Sequence, residues 1–457
     1  MNIISIYYVA SGFFVLLACL YMGVDWWWSC LPASYVVFNI LFPKSLSISK
    51  HRLVYFIFSL IVYIRYVLIV FVFLLSGNDY LNVIIKEPSA KALSVASVLM
   101  IIELVVSLFM VQVFAKKSIS YNYDFLSKKN RNSFLVILVI LIALLLFLYP
   151  DLRVKYNFIS IPELIERAEF QSSIMTLFSI LTDYILVLPP LVLIGFYINK
   201  YGDAYRFRHI LIILIFLTPF LLFFKGVSRF SALLPALAWI ITLSRTFPKY
   251  KKVVSNIIIA VSSIVFISVS LYKQFSANSI SEVSAGSLGF ANSFLSLNAY
   301  FSGLFNVAYT VDLLNIYHDI TGWNFFINDF FRNIAFFSFI SNSDNTSVVI
   351  YNNYLYNNLG SKDQIIPLVS QGYLYLGFIG AFIISAVVML AMIKSEEYIF
   401  SVNKVNYLFP IALLSIYLSI HMMVSVNSLY APVFNFIVPL LIILKINDYF
   451  GKVRVNK

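Results

Sequence analysis

The chain has 457 residues, of which 61% are hydrophobic and only 11% charged, with a formal net charge of +12. A soluble domain carries about a quarter charged residues to cover its surface, so water is excluded as the solvent for most of this one. The basic residues are scattered over short breaks between apolar runs, which excludes a continuous nucleic-acid-binding face and makes membrane topology the origin of the charge.

In chain order, apolar runs that approach the ~20 residues of a membrane span lie near 3–23, 26–42, 53–75, 93–115, 134–149, 174–198, 209–224, 230–247, 253–271, 367–393, 407–425 and 429–446. The first lacks the basic flank and small-residue cleavage site of a secretory signal and reads as a retained helix. The only cysteines, Cys19 and Cys30, fall inside runs, leaving no disulfide framework and no thiolate metal site. Loops 43–52, 116–133, 199–208, 244–252, 394–406 and the tail 445–457 hold roughly twice the Lys and Arg of the opposite loops, over a shorter total length. The positive-inside rule places that first set, and both termini, in the cytoplasm.

The expected fold class is therefore an all-α polytopic membrane protein with about twelve transmembrane helices and a long, partly helical periplasmic loop. Membrane helices occupy 1–271, the outer loop 272–366, and further membrane helices with a cytoplasmic tail 367–457. No cytoplasmic loop is long enough to house a nucleotide-binding domain, and G-x-x-x-x-G-K-[ST], H-E-x-x-H and D-x-D are all absent. Chemistry then belongs to the outer face or the bilayer interior.

Within the outer loop, apolar periodicity over Phe290 to Tyr317 and over Trp323 to Phe339 predicts helices lying on the outer leaflet above a cavity, with Phe326, Phe330, Ile334 and Phe337 on one face. The rival is that both runs span. Asp312, Asp319, Asp329 and Arg332 argue against it, because a charge at mid-bilayer costs about 2.5–3.5 kcal/mol. The loop also carries Glu282, Asp344 and Asp363 and is rich in Asn, Phe and Tyr, types that suit sugar rings but are raised along the whole chain. No internal repeat or inverted half-to-half symmetry supports a transporter.

Topology puts His51 and His209 in the cytoplasm and leaves His318, in the outer loop, and His421, near the outer end of the eleventh run, as outward-facing general bases. For His421 a hydrogen-bonded packing residue is the stronger reading; Asp344 and Asp363 are rival bases or solvated carboxylates. Arg153, Lys155, Lys225, Arg229 and Arg332 lie on the outer side, where positive charge is sparse. Guanidinium forks there suit a diphosphate, while for Lys155 and Lys225 anchoring at lipid headgroups is the stronger reading. Arg65 and Glu103, at similar depth in the third and fourth runs, are expected to pair, as a lock between helices or as a substrate contact. Asp183 precedes the Pro189-Pro190 break, which can open the sixth run around a cavity.

Two local marks complete the pattern: the turn Gly226-Val-Ser-Arg229, and Pro367 followed by Gln371-Gly-Tyr373-Leu-Tyr375-Leu-Gly377-Phe-Ile-Gly380 at the entry to the span after the long loop. With this layout the chain resembles, over its whole length, the Wzy family of O-antigen and capsule repeat-unit polymerases. It departs from the family at Gln371, where many members carry Glu, and in having Glu169 and Val348 where an Arg-x15-Gly motif starting at Arg153 or Arg332 needs glycine. The resemblance implies a metal-independent glycosyltransferase of the membrane C type that uses no cofactor and acts on the periplasmic face of the bacterial inner membrane. Its donor and acceptor are polyprenyl-diphosphate-linked oligosaccharides, with a chain-length regulator and a flippase as companions and no nucleic acid. Arg229 and Arg332 then hold the donor diphosphate, His318 or His421 activates the acceptor hydroxyl, and the prenyl tails lie between spans. An O-antigen ligase and a lipid-linked oligosaccharide flippase are the alternatives.

Overall fold

In hydrocarbon every backbone N–H and C=O must find its partner within the protein, and a helix achieves this segment by segment. The computed structural model of the protein accordingly consists of helices, with no strand among the described residues. Those are residues 3–77, 79–82, 86–116, 132–152, 173–222, 229–278, 289–316, 322–332, 334, 337–340, 345–356, 364–402 and 404–453.

In chain order the helices are α1 (Ile3–Met22), α2 (Trp26–Leu41), α3 (Lys44–Ser49), α4 (Leu53–Ser76), α5 (Ala90–Phe114), α6 (Ser133–Leu148), α7 (Ser173–Thr182), α8 (Leu188–Tyr201) and α9 (Phe207–Leu222). They continue as α10 (Arg229–Thr246), α11 (Lys251–Asn278), α12 (Gly289–Tyr300), α13 (Leu304–Ile316), α14 (Trp323–Arg332), α15 (Ser347–Tyr356), α16 (Leu368–Ser401), α17 (Leu408–Ser419) and α18 (Val426–Gly451). Every run expected to span lies on one or two of these helices. Among the described residues α4, α5, α16 and α18 are long and apolar enough to cross a membrane, and Phe178–Leu186 with Leu188–Tyr201, bent by 43°, adds a fifth if the pair is one span. The bend falls just ahead of Pro189-Pro190, where proline removes amide donors from the first turn of α8.

The chain forms two compact units, each assembled from separated stretches. The first comprises Met1–Ser118, Val283–Lys394 and Tyr417–Pro432, the second Ile119–Glu282, Ser395–Ile416 and Val433–Lys457. In the second unit polar side chains tie helices together at their ends and breaks. Asn132 donates to the Val192 carbonyl at 3.1 Å and accepts from Asn406 at 2.9 Å, fitting against Gly195, where any Cβ would stand 2.3 Å from its amide nitrogen. Tyr184 donates to the Phe436 carbonyl at 3.1 Å, inside a π-turn of α18 over Val433–Ile437 whose wider ring leaves carbonyls available. Asp448 binds Lys404 at 2.5 Å and accepts from Tyr407 at 3.0 Å.

The first unit holds the described residues between 283 and 394. The run over 290–317, expected as helices at the membrane surface, forms a hairpin of α12 and α13 joined by Phe301-Ser302-Gly303, with α12 largely exposed and α13 buried. All residues from Leu304 to Leu313 are buried. Asn298 closes the turn, its carbonyl accepting from Gly303 N–H at 2.8 Å and its side-chain oxygen from Phe305 N–H at 3.2 Å. Gly303 sits where a Cβ would be 3.1 Å from Ile69 of α4 and 2.4 Å from Asn298. Trp28, Phe73, Phe294 and Phe305 form the apolar packing of the hairpin, with Trp28 stacked on Phe73 at 3.9 Å between ring centres. Asp312 near the far end of α13 accepts from the Ser89 amide at 2.9 Å and its hydroxyl at 2.6 Å, and so stabilises the N-terminus of α5. The hairpin thus enters and returns at the same end of α4 and α5, and Asp312 stays at that end rather than at mid-depth.

Two further expectations for this region change. The helix predicted through Phe339 ends at Arg332, after which Ile334 is buried and Phe337 exposed, so they do not continue the face of Phe326 and Phe330. The run 367–393 is broken at Leu376 and Gly377, the latter at φ +62° and ψ −150°, a region open essentially to glycine alone. Across the break Gly372 and Gly380 meet backbone to backbone: a Cβ on Gly380 would lie 2.0 Å from the Gly372 carbonyl oxygen. Replacing Gly377 or Gly380 by alanine is expected to destabilise the protein by about 1–3 kcal/mol each, read as a lower melting temperature in detergent. Alanine at the open Gly289, where nothing lies within 4 Å, is the control.

Candidate active site

One fully buried charged group of the first unit lies on a local irregularity of α4. Residues Ile64–Leu68 form a π-turn, and Arg65 within it is wholly buried. Its Nη1 binds Glu103 of α5 at 2.6 Å, while Nε and Nη2 both donate to the carbonyl of Ser302, at 3.2 and 2.9 Å. The expected pair therefore meets and also grips the tip of the α12–α13 hairpin. Ser302 is the one non-glycine residue with positive φ among those described, at +52°, a conformation that turns its carbonyl to the guanidinium. Its hydroxyl donates to the Met423 carbonyl at 3.2 Å, joining a second chain reversal to the same point.

That second reversal carries His421. Instead of continuing outward through residue 425, α17 stops at Ser419, and His421–Met423 form a short 3-10 turn. The imidazole lies parallel to Phe58 of α4, 6.0 Å between ring centres, on the Leu53 side of Arg65. It is fully buried, with Nδ1 2.9 Å from the Leu418 carbonyl. A fully buried ring stacked on Phe58 packs the interior of the first unit.

A second constellation is built on α14. Asp329 is fully buried, and every group bonded to it is a donor: the Ser347 amide at 2.9 Å, the Gln371 amide nitrogen at 3.3 Å and the Tyr375 hydroxyl at 2.5 Å. Burial pushes its carboxyl above the usual range, against the hydrogen bonds from Ser347, Tyr375 and Gln371, which pull it down. The Ser347 amide opens α15, so Asp329 places a carboxylate at a helix N-terminus. One turn along α14, half-buried Arg332 donates to Thr346 at 2.8 Å. Gln371 donates also to the Ser347 hydroxyl at 2.7 Å, and its oxygen accepts from the Val426 amide at 2.6 Å, at the start of α18.

Polar contacts and short stretches of chain thus run from Arg332 through Ser347, Asp329 and Gln371 to Val426, and from Met423 through Ser302 to Arg65 and Glu103. No family model, curated protein or solved structure matches the chain.

Of the site residues expected from sequence, Arg65, Glu103 and Arg332 lie on this connected set. Arg229 opens α10, while Arg153, Lys225, His318, Asp344 and Asp363 fall outside the described residues. No cluster of His, Cys, Asp or Glu able to hold a metal ion occurs among the described residues. Sequence reasoning missed Ser302, Ser347 and the accepting role of Asp329. The available signals were weak: the Asn298 to Gly303 turn chemistry, and Gln371 and Tyr375 one helical turn apart.

Proposed function

We propose that the protein joins polyprenyl-diphosphate-linked oligosaccharide repeat units on the periplasmic face of the bacterial inner membrane, as a metal-independent glycosyltransferase of O-antigen or capsule synthesis. The observation that carries this reading is the seating of Arg332. Two features singled out separately in the sequence, the outer-loop arginine and the Gln371-Gly-Tyr373-Leu-Tyr375 entry segment, are joined through Asp329 and Ser347. A guanidinium fixed on a buried support, and itself half-exposed, suits a diphosphate oxygen pair, and it offsets the charge that grows as the donor sugar leaves. In this reading His318 takes the proton of the acceptor hydroxyl, and the glycosidic bond forms as the donor's sugar–phosphate bond breaks. Positioning and diphosphate stabilisation then supply the rate enhancement.

The meeting of two chain reversals at Arg65 also fits a lipid-linked oligosaccharide flippase, since interrupted helices at mid-depth are a device of transporters. One experiment separates the readings. Purified protein in liposomes with a lipid-diphosphate repeat unit is expected to lengthen the glycan unaided; movement of the glycolipid between leaflets without any joining overturns the enzyme reading.

A further inference from the structure

Asp329 and Gln371 divide hydrogen-bonding duties in a way that fixes the chemistry of both. A carboxylate only accepts, and Asp329 faces donors from three residues. Gln371 has one donating end and one accepting end, and each finds its complement: the NH2 faces the Asp329 carboxylate and the Ser347 hydroxyl, the oxygen faces the Val426 amide. A glutamate at 371 would satisfy Val426 but set oxygen against oxygen at Asp329, inside a site where both side chains are fully buried. An asparagine at 329 would set a donor against one of the three donors around it. Either error is felt one turn away at Arg332, because Asp329 and Arg332 grip the consecutive residues Ser347 and Thr346.

We infer that Asp329 and Gln371 are a matched pair of positioning residues, one charge and one amide, whose task is to hold Arg332 toward a lipid-linked diphosphate. This rests on the diphosphate reading of Arg332 proposed above. Neither residue touches substrate; both act through the seating of α14 on α15 and on the first turns of α16. The pair also accounts for an amide at 371, since the carboxylate is already supplied from 329.

The test is a pair of double-mutant cycles in purified full-length protein, read by melting temperature in detergent and by equilibrium binding of a polyprenyl diphosphate. Asp329→Asn and Gln371→Glu should each lower the melting temperature and weaken binding about tenfold. The exchange variant carrying both restores a donor facing an acceptor, and should recover to within about twofold of wild type. Asp329→Asn added to Arg332→Ala should weaken binding no further, because its effect passes through that arginine. Losses that sum in the exchange variant overturn the pairing. A further tenfold loss on the Arg332→Ala background overturns the positioning role while leaving the pairing intact. If wild type binds no polyprenyl diphosphate, the phosphate reading falls and takes the positioning role with it, and the melting-temperature cycle still decides whether the two residues are matched.

Discussion

Replacing Arg332 by alanine is expected to arrest surface glycan at a single repeat unit while the protein still inserts and folds. Arg332 is half-buried and donates to Thr346, so alanine loses at least one hydrogen bond from a charged group, whose net contribution is about 1.5–3 kcal/mol, less than the stability of a typical folded protein. The loss in the reaction is larger. Removing one preorganised donor from a developing negative charge typically lowers kcat by about 10²–10³-fold, enough to convert a long ladder into single capped units. Lysine keeps the charge but not the planar two-pronged donor, so Arg332→Lys should recover only part of the chain length. Electrophoresis of glycan from a deletion strain complemented with each variant reads both, with membrane abundance as the control. Full-length ladders from the alanine variant would remove Arg332 from the donor site.

The second large effect concerns stability rather than chemistry. Arg65→Ala strips Glu103 of its counter-charge in a fully buried position and at the same time releases the Ser302 carbonyl, which holds the hairpin tip. Breaking a buried pair from one side typically costs about 3–5 kcal/mol, a large share of what a folded protein possesses. Replacing both partners by apolar residues of similar size, as in Arg65→Met with Glu103→Leu, removes the orphaned charge and should recover much of that loss. What remains is the unhooked carbonyl. Thermal unfolding in detergent of the two variants measures the difference, and equal melting temperatures would mean that Glu103 needs no partner.

The Arg65–Glu103 contact was open to sequence reasoning because charges are rare in apolar runs and consecutive antiparallel helices bring equal depths together. The helices themselves follow from composition, and each expected run carries helix among its described residues. The hairpin was harder to read, because Phe290 to Tyr317 has the same composition whether it lies on a membrane surface or is inserted among helices. Only the turn distinguishes the two, and Asn298, Ser302 and Gly303 mark it faintly. The stop of α17 at Ser419, just before His421, was not legible because neither proline nor glycine announces it. The Asp329–Gln371 contact joins neutral and charged residues far apart in the chain, and no local pattern encodes such a partnership. The broken entry to α16 lies at the other extreme, with three glycines visible at once. What they do is evident only when Gly372 and Gly380 are seen in contact.

The π-turn at Ile64–Leu68 has a consequence for insertions and deletions in α4. Such a turn is an α-helix with one surplus residue, and each residue of an α-helix accounts for about 100° of azimuth. Deleting a single apolar residue there, such as Val67, lets the segment relax to ordinary α geometry with its flanking turns undisturbed. Deleting one from Val54 to Ser59 offers no such slack and swings Phe58 and its neighbours away from their partners. A shortened α4 should therefore be tolerated at the bulge and nowhere else along the helix, a difference that expression level and melting temperature would register.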